Sequence, residues 1–186
     1  MSLTGKHILI LVGGGIAAYK MPELVRRLRD AGATVRCAMT AAAQNFVTPF
    51  TLATVTGHSV PTDLFEADRD PATGHIRLAR EPDLILVAPA TADLMAKRAH
   101  GLAPDLVSAI LLATTRPVLM APAMNPTMWA NPATRRNHEI LIADGIHFVG
   151  PENGAMAERD ESGTGRMADV PAIIAAVEAL LNPDRP

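Results

Sequence analysis

Three consecutive glycines, Gly13–Gly15, follow an apolar run and open a stretch with helical spacing. Successive glycines allow backbone N–H groups to close around an anion at the positive end of a helix. The pattern departs from G-x-G-x-x-G, because Ala17 and Ala18 stand where a third glycine is expected. The second predicted strand also ends without the acidic residue that would bind a ribose hydroxyl. The turn favours a mononucleotide phosphate over a dinucleotide, and a tight turn without a ligand is the alternative.

Three polar side chains lie where they could do chemistry. Thr40, at the end of the second predicted strand, could bind the same phosphate or cap a helix. Asn125 precedes a helix, which it could cap, or it could bind a carboxylate. His75 follows a glycine in a turn that could reach a cleft, where an imidazole can transfer a proton. The other histidines are predicted to be structural (His7, His147) or exposed (His58, His100, His138), and no spacing suggests a metal site.

Short apolar runs alternate with amphipathic segments, which is the pattern of a parallel sheet with helices on both faces. The predicted strands are His7–Val12, Thr34–Met39, 83–88, 117–121 and 147–149. The predicted helices are 16–31, 41–47, 49–57, 75–80, 91–99, 104–114, 125–144 and 170–181. Residues 58–74 are polar and are predicted to form an irregular connection, and residues 150–169 have little apolar content. Ligands of such sheets bind outside the carboxyl ends of the strands, so the turns there are the expected site.

Composition limits the possible classes of protein. The 186 residues suit one domain, and 48% are hydrophobic, which is enough for a packed core. The net charge of -2 argues against nucleic-acid and acidic-membrane partners. The single Cys37 excludes an internal disulfide and suits a reducing compartment. Apolar runs fall short of the ~20 residues of a membrane span. The N-terminus lacks signal-peptide features, and we expect a cytoplasmic protein.

Eight segments along the chain carry a resemblance to a known family. They are GGGIAAYK (13–20), PELVRRLR (22–29), AMT (38–40), GHI (74–76), APATADL (88–94), DLVS (105–108), PAMNPTMW (122–129) and GTGRM (163–167). In this order they resemble the homo-oligomeric flavin-containing cysteine decarboxylases. Within that family, the likeness is closest to the phosphopantothenoylcysteine decarboxylases of coenzyme A synthesis. The P-x-M-N-x-x-M-W signature is highly specific, whereas the glycine turn alone is not.

The resemblance implies an α/β fold, a Rossmann-like (flavodoxin-like) three-layer sandwich that forms one flavoprotein domain over residues 1–186. It implies FMN at the contact between subunits, in a homotrimer or a multiple of trimers. The implied substrate is a small phosphorylated cysteine conjugate, (R)-4′-phospho-N-pantothenoylcysteine, and the product is 4′-phosphopantetheine. In that reaction the cysteinyl side chain is oxidised, carbon dioxide leaves the thioaldehyde, and the electrons return to the resulting ene-thiolate.

The resemblance also implies roles for individual residues. It makes His75 the catalytic histidine, and it places Asn125, Met128 and Arg166 on the substrate. The residues implied to hold the FMN phosphate are Gly13, Gly14, Gly15 and Thr40. Those implied to lie along the flavin are Pro89, Ala90, Thr91 and Ser108.

Two departures from the family pattern bear on the reaction. Many relatives have serine in place of Gly13, so one hydroxyl donor to the phosphate is missing here. Relatives also usually carry A-C-G-(D/E) before G-x-G-R-M, whereas residues 157–162 are AERDES. The family's cysteine is expected to protonate the ene-thiolate, and Cys37 cannot replace it from inside a predicted strand. Glu158 is the alternative acid.

Residues 150–169 are expected to form a flap that orders over the substrate. Two other functions remain as alternatives at this point. One is a peptidyl-cysteine oxidative decarboxylase, which releases an ene-thiol and needs no flap cysteine. The other is a non-catalytic flavin-binding regulatory protein, although His75 and Asn125 are both present.

Overall fold

Five parallel strands form the central sheet of the computed structural model, which describes residues 2–69, 74–155 and 162–183. The strands are β1 (His7–Val12), β2 (Thr34–Met39), β3 (Leu84–Ala90), β4 (Val118–Pro122) and β5 (His147–Phe148). Their order across the sheet is β2-β1-β3-β4-β5. This is the flavodoxin-like order, in which ligands bind where the chain switches direction between β1 and β3. The predicted fold class is confirmed.

Helices surround this sheet, and most of them begin at a residue suited to a first turn. Pro22, Pro49 and Pro132 each stand in the first turn of a helix, where the missing N–H of proline is not needed. The helices are α1 (Met21–Asp30), α2 (Pro49–Thr56), α3 (Leu64–Arg69), α4 (His75–Arg80), α5 (Ala92–Ala99), α6 (Leu106–Ala113), α7 (Pro126–Ala130), α8 (Pro132–Ala143) and α9 (Val170–Leu181).

Side chains of β1 alternate between two hydrophobic cores, one on each face of the sheet. Ile8 and Ile10 pack in a cluster with residues of α1 and α9. Leu9 and Leu11 pack in a second cluster with residues of α5, α6 and α8. Every residue of β3 is buried, because this strand lies in the middle of the sheet and both its faces are covered. The result is the predicted three-layer arrangement.

Two of the predicted helices are divided in the structure. Residues Ile16–Lys20 form a 3-10 helix, and α1 starts only at Met21. The predicted helix 125–144 is broken at Asn131, whose side chain accepts a hydrogen bond from Ala133 N at 2.9 Å and so caps α8. The interruption places Asn125 at the start of its own short helix, α7.

The helix α3 lies inside 58–74, so the predicted irregular connection is wrong for Leu64–Arg69. An antiparallel hairpin, β6 (Glu152–Ala155) and β7 (Ser162–Arg166), lies in the later polar region, where the sequence predicts no strand. The hairpin docks on the loop after β4, where Met124 N donates to Gly165 O at 3.0 Å. A side chain at Gly165 would collide with the Met124 carbonyl oxygen, so the close approach requires glycine. Within the described ranges, no helix is long and apolar enough to cross a membrane.

Candidate active site

A cavity of about 1140 Å³ opens beside the carboxyl ends of β1 to β4, at the predicted place. Its walls are the glycine turn, the 3-10 helix after it, the start of α5, the loop between β4 and α7, and the hairpin. The predicted site residues that line it are Gly14, Gly15, Thr40, Thr91, Asn125, Met128 and Arg166. The predicted site residues outside its lining are Gly13, His75, Pro89, Ala90 and Ser108.

The glycine turn passes so close to its neighbours that side chains are excluded from two of its positions. A Cβ at Gly14 would lie 2.8 Å from the Ala42 carbonyl carbon and closer still to the Ala42 methyl group. A Cβ at Gly13 would meet the carbonyl oxygen of Pro89. Gly15 has open space, with the nearest atom 3.9 Å away. Bare backbone therefore faces the cavity, as a phosphate cradle requires.

Thr40 follows β2 and borders the same end of the cavity. Its hydroxyl oxygen accepts a hydrogen bond from Ala43 N at 3.1 Å, so it caps the next segment as predicted. That segment is a 3-10 helix, Ala42–Asn45, where the sequence predicts an α-helix over 41–47. Thr40 is almost fully buried and still lines the cavity, so capping and phosphate binding are compatible.

The residues after β3 divide between supporting and lining positions. Pro89 and Ala90 belong to the buried strand and stand behind the wall. Thr91 lines the cavity and caps α5 by accepting a hydrogen bond from Leu94 N at 3.3 Å. Ser108 is buried in the capping box of α6, where its N–H donates to Asp105 Oδ1 at 2.9 Å. The group that this box presents to the cavity is Asp105.

Lys97 is a cavity residue that sequence reasoning missed. Its ammonium group lies 2.8 Å from Asp93 Oδ2 and 3.0 Å from Asp105 Oδ2. The hydrogen bond to Asp93 raises the pKa of Lys97, although burial opposes this. Burial also opposes ionisation of Asp105, but hydrogen bonds from Ser108 and Lys97 outweigh it and lower the pKa of that carboxyl. The spacing of Asp93 and Lys97, four apart on a helix, was the available signal.

Asn125 and Met128 stand at the opposite wall, on α7. Asn125 Oδ1 accepts a hydrogen bond from Thr127 N at 2.8 Å, so the side chain caps its helix. Met128 is half exposed toward the cavity. Next to it, Trp129 is buried against the ring of His138, with centroids 5.1 Å apart. This aromatic contact fixes α7 on α8 and thereby holds the Asn125 end of the wall.

The prediction that His138 is exposed is wrong, because it lies partly buried between the rings of Trp129 and Phe148, the second at 4.3 Å between centroids. Burial lowers its pKa, and the nearby positive charge of Arg135 lowers it further. The Arg135 guanidinium lies 5.1 Å from the centre of the Trp129 ring, a cation–π contact. The neutral imidazole is therefore the form that suits this site.

Lys20, from the N-terminal part of the chain, meets Arg166 and Asp169 at the hairpin side of the cavity. Arg166, the last residue of β7, bonds to both carboxylate oxygens of Asp169, at 3.1 and 2.9 Å. Lys20 Nζ reaches the same carboxylate at 3.2 Å. The hydrogen bond from Lys20 is the main cause of the lowered pKa of Asp169. Sequence reasoning found Arg166 only, because nothing local relates residues 149 positions apart.

His75 and Cys37 lie away from this cavity. His75 is the first residue of α4 and is half-buried, in the helix predicted at 75–80. Cys37 is enclosed in β2 as predicted, and burial raises the pKa of its thiol to about 12. Such a thiol keeps its proton and does not reach the cavity. In the part of the chain that the structure describes, no group of three His, Cys, Asp or Glu could hold a metal ion.

The cavity lies where the chain changes direction across the parallel sheet, and it is bordered by a glycine turn without side chains. These two features are typical of a nucleotide site in an α/β protein. Comparison with known sequences identifies the family. A family model described as Flavoprotein matches residues 1–182. The chain belongs to this flavoprotein family.

Particular relatives are similar to nearly the whole chain. The coenzyme A biosynthesis bifunctional protein CoaBC of Escherichia coli (strain K12) is 50% identical over 183 residues, which are 98% of this chain and 45% of that protein. The CoaBC protein of Bacillus subtilis (strain 168) is 43% identical over 155 residues, 83% of this chain and 38% of that protein. This chain therefore spans less than half the length of these two relatives.

Solved structures agree with the sequence matches. A cysteine-to-serine mutant of PPC decarboxylase, complexed with pantothenoylaminoethenethiol, has a TM-score of 0.83 at 30% identity, covering 93% of this chain and 96% of its own. The FMN-dependent cysteine decarboxylase SpaF has a TM-score of 0.82 at 31% identity, covering 98% of both chains. The predicted resemblance is confirmed.

Proposed function

We propose that this chain decarboxylates (R)-4′-phospho-N-pantothenoylcysteine to 4′-phosphopantetheine with bound FMN, as a step of coenzyme A synthesis. The observation that carries this proposal is one cavity that joins the glycine turn to Asn125, Met128 and Arg166. A phosphate cradle facing donors for an acidic ligand suits a reaction between a flavin mononucleotide and a small carboxylic acid. The 50% identity to CoaBC over 98% of this chain supports the same activity.

The glycine turn fits the phosphate end of FMN. The backbone of Gly14 and Gly15 and the hydroxyl of Thr40 would hold the phosphate, because all three border one end of the cavity. The turn can pass this close to Ala42 only because no Cβ occupies Gly14. Gly13, Pro89, Ala90 and Ser108 would act from behind the wall, and Thr91 would contact the flavin directly. Bound FMN would supply the oxidant for the cysteinyl side chain and return the electrons at the end.

Asn125 would orient the carboxylate that is lost as carbon dioxide. Its Oδ1 is engaged in capping α7, which fixes the side chain at the cavity wall. A substrate carboxylate would accept a hydrogen bond from the amide nitrogen, which is the donor group of this side chain. Capping and substrate binding, which the sequence presents as alternatives, use different atoms of the same side chain. Met128 and Arg166 would complete the substrate side of the wall.

His75 would accept the proton released when the cysteinyl side chain is oxidised. Because His75 does not line the cavity of one chain, we propose that a second copy brings it there, in a homotrimer or a multiple of trimers. Exposed apolar side chains lie next to the glycine turn and next to His75, the two regions that this assembly would bring together. Ile16 is 57% and Tyr19 is 63% exposed next to the glycine turn, and Ile76 is 42% exposed next to His75. Burying such groups against another copy would stabilise the assembly.

The segment 150–169 is proposed to cover the bound substrate. Its two strands already border the cavity through Ala155 and Arg166. The residues between the two strands, 156–161, lie outside the described part of the structure. They include Glu158, the proposed donor of the final proton. Cys37 is excluded from that role by its burial in β2.

Product analysis tests the proposal directly. The purified protein is incubated with phosphopantothenoylcysteine, and the products are identified by mass spectrometry together with the bound flavin. The proposal predicts carbon dioxide, 4′-phosphopantetheine and FMN. A protein that carries FAD or that releases no carbon dioxide would contradict it.

One observation favours a second candidate, a peptidyl-cysteine oxidative decarboxylase. Residues 157–162 contain no cysteine that could return a proton to the ene-thiolate. Such an enzyme would release an ene-thiol, which is two hydrogen atoms lighter than the reduced product. The same mass spectrum separates the two candidates, and a Cys-terminal peptide tested in parallel shows which substrate is used.

A further inference from the structure

Asp169 occupies the N-cap position of α9, yet its side chain does not cap the helix. An aspartate at this position ordinarily accepts a hydrogen bond from an N–H of the first turn, which stabilises the helix. Here the carboxylate is turned toward the cavity and bonds to cations instead. The usual capping role of an N-cap aspartate is therefore lost at this cavity. Such departures from local preferences occur mainly at functional sites, where function competes with stability.

The Asp169 carboxylate joins two cations from different walls of the cavity. Lys20 ends the 3-10 helix that follows the glycine turn, and Arg166 ends the hairpin. Lys20 Nζ and Arg166 Nη2 both bond to the same oxygen, Oδ1, at 3.2 and 3.1 Å. Because both bonds share this oxygen, the distance between Lys20 Nζ and Arg166 Nη2 cannot exceed the sum of the two bond lengths. Both side chains line the cavity, within reach of one tetrahedral anion.

The position of the Arg166 side chain depends on the carboxylates of Asp169 and Glu152. Its Nε is buried, and among the described residues it has no hydrogen-bond partner. The guanidinium is held through Nη2, by Asp169 at 2.9 Å and by Glu152 at 3.7 Å. Lys20 is similarly constrained, since only 17% of its side chain is exposed. Without Asp169, both cations would lose a charged hydrogen bond that fixes them.

We propose that Asp169 is a positioning residue, which holds the Lys20 and Arg166 cations as a pair that binds one phosphate group in this cavity. The proposal rests on the proposed function, which supplies two sources of phosphate, the substrate and FMN. Position favours the substrate, because the hairpin that carries Arg166 docks on the loop that leads to Asn125, while the glycine turn already provides a cradle for FMN. The chemistry that the pair recognises is the same for both sources.

The sign of the effect separates positioning from simple electrostatics. Replacing Asp169 by Asn removes a negative charge from the cavity, which by itself would tighten the binding of any anion. If Asp169 acts by positioning, the loss of fixed geometry outweighs that gain and phosphate binding becomes weaker. Asp93→Asn is the matched control, since Asp93 also lines the cavity and also pairs with a lysine, Lys97 at 2.8 Å.

The test compares phosphorylated and dephosphorylated ligands in Asp169→Asn and Asp93→Asn. Steady-state turnover is measured with phosphopantothenoylcysteine and with pantothenoylcysteine, and apoprotein titrations give Kd for FMN and for riboflavin. We expect Asp169→Asn to raise KM for the phosphorylated substrate about tenfold, the loss of one charged hydrogen bond. We expect kcat, KM for the dephosphorylated substrate and both Kd values to change less than twofold. Asp93→Asn is expected to bind the phosphorylated substrate equally or more tightly.

The other outcomes of these KM and Kd measurements either assign the cation pair to the FMN phosphate or overturn the proposal. A rise in Kd for FMN but not riboflavin would keep the positioning role and assign the pair to the cofactor phosphate. The proposal would be overturned if Asp169→Asn bound the phosphorylated ligands more tightly, or if it changed binding equally for ligands with and without phosphate. It would also be overturned if neither of the two KM values nor either of the two Kd values changed. The flavin titrations do not depend on turnover, so a wild-type protein without decarboxylase activity would refute the proposed function separately.

Folding is controlled in the same experiment. The Asp169 side chain does not cap α9, so Asp169→Asn removes no cap and α9 should be retained, which urea unfolding checks. A double-mutant cycle with Lys20→Met gives a second readout. If Asp169 acts through Lys20, the effect of Asp169→Asn on phosphate binding shrinks in the Lys20→Met background. Full additivity would count against a shared role.

Discussion

Replacing Gly14 by alanine should strongly weaken FMN binding while the protein still folds. The new methyl carbon would lie 2.8 Å from the Ala42 carbonyl carbon and nearer still to the Ala42 methyl group. Comfortable carbon contacts are ~3.5–4.0 Å, so the glycine turn or the segment after β2 must move by about an ångström or more. Either movement changes the backbone that is proposed to hold the phosphate.

The size of the effect follows from the cost of overpacking. Inserting a methyl group into a tightly packed site typically costs ~1–3 kcal/mol. If binding FMN demands the original turn, this cost appears in the binding equilibrium, where it corresponds to roughly 5- to 150-fold in Kd. The expected value for Gly14→Ala is therefore a loss of about one to two orders of magnitude in affinity.

Gly15→Ala is the matched control in the same turn. A Cβ at Gly15 meets its nearest neighbour at 3.9 Å, which is an ordinary contact, and the backbone there is extended with φ -157°. Kd for FMN is measured by quenching of flavin fluorescence on titration with apoprotein, and urea unfolding of the apoproteins reports stability. We expect Gly15→Ala to remain within a few-fold of wild type. Equal Kd values for Gly14→Ala and wild type would refute the steric argument.

Three other predictions concern the proton, the pH response and the assembly. His75→Asn should abolish carbon dioxide release, with a loss of at least ~10²-fold, while the FMN absorbance is retained; retention of a tenth of the wild-type rate would exclude a base. His138 has a lowered pKa in the folded protein, so the unfolded chain binds its proton more readily. Stability should be full above the ordinary pKa of ~6.5 and fall as the pH drops below it, and His138→Phe should reduce that fall in urea titrations at pH 8 and pH 5.5; identical pH profiles would disprove the assignment. Light scattering of the FMN-bound protein should give a mass that is a multiple of three chains, and a monomer would contradict the proposed origin of His75.

The sequence predicts the sheet and its site well, because the apolar strands and the capped helices carry local signals. His7–Val12, Thr34–Met39 and Val170–Leu181 have the same bounds in the prediction and in the structure. The division of the first predicted helix is not visible in apolar spacing alone, since Ile16 and Tyr19 continue a helical period although they stand exposed. Their exposure is a tertiary property that periodicity does not report.

The hairpin and the ion cluster illustrate what the sequence does not reveal. β6 and β7 contain glycine and polar residues without apolar alternation, so their pairing rests on backbone hydrogen bonds and on the contact of Gly165 with Met124. Lys20 and Asp169 meet only after the fold has formed. Asp169 in particular has the local signature of a helix cap, and only the structure reveals its other partners. Groups brought together by topology leave no short-range pattern.

Turnover without oxygen tests the central claim most directly. The FMN-loaded protein is incubated anaerobically with a large molar excess of phosphopantothenoylcysteine, and carbon dioxide, product mass and flavin absorbance are followed together. A complete decarboxylase returns the electrons to its product, so the account predicts many equivalents of carbon dioxide per flavin, 4′-phosphopantetheine as product, and flavin that is oxidised at the end. One equivalent of carbon dioxide, an ene-thiol two hydrogen atoms lighter, and flavin left reduced would contradict it.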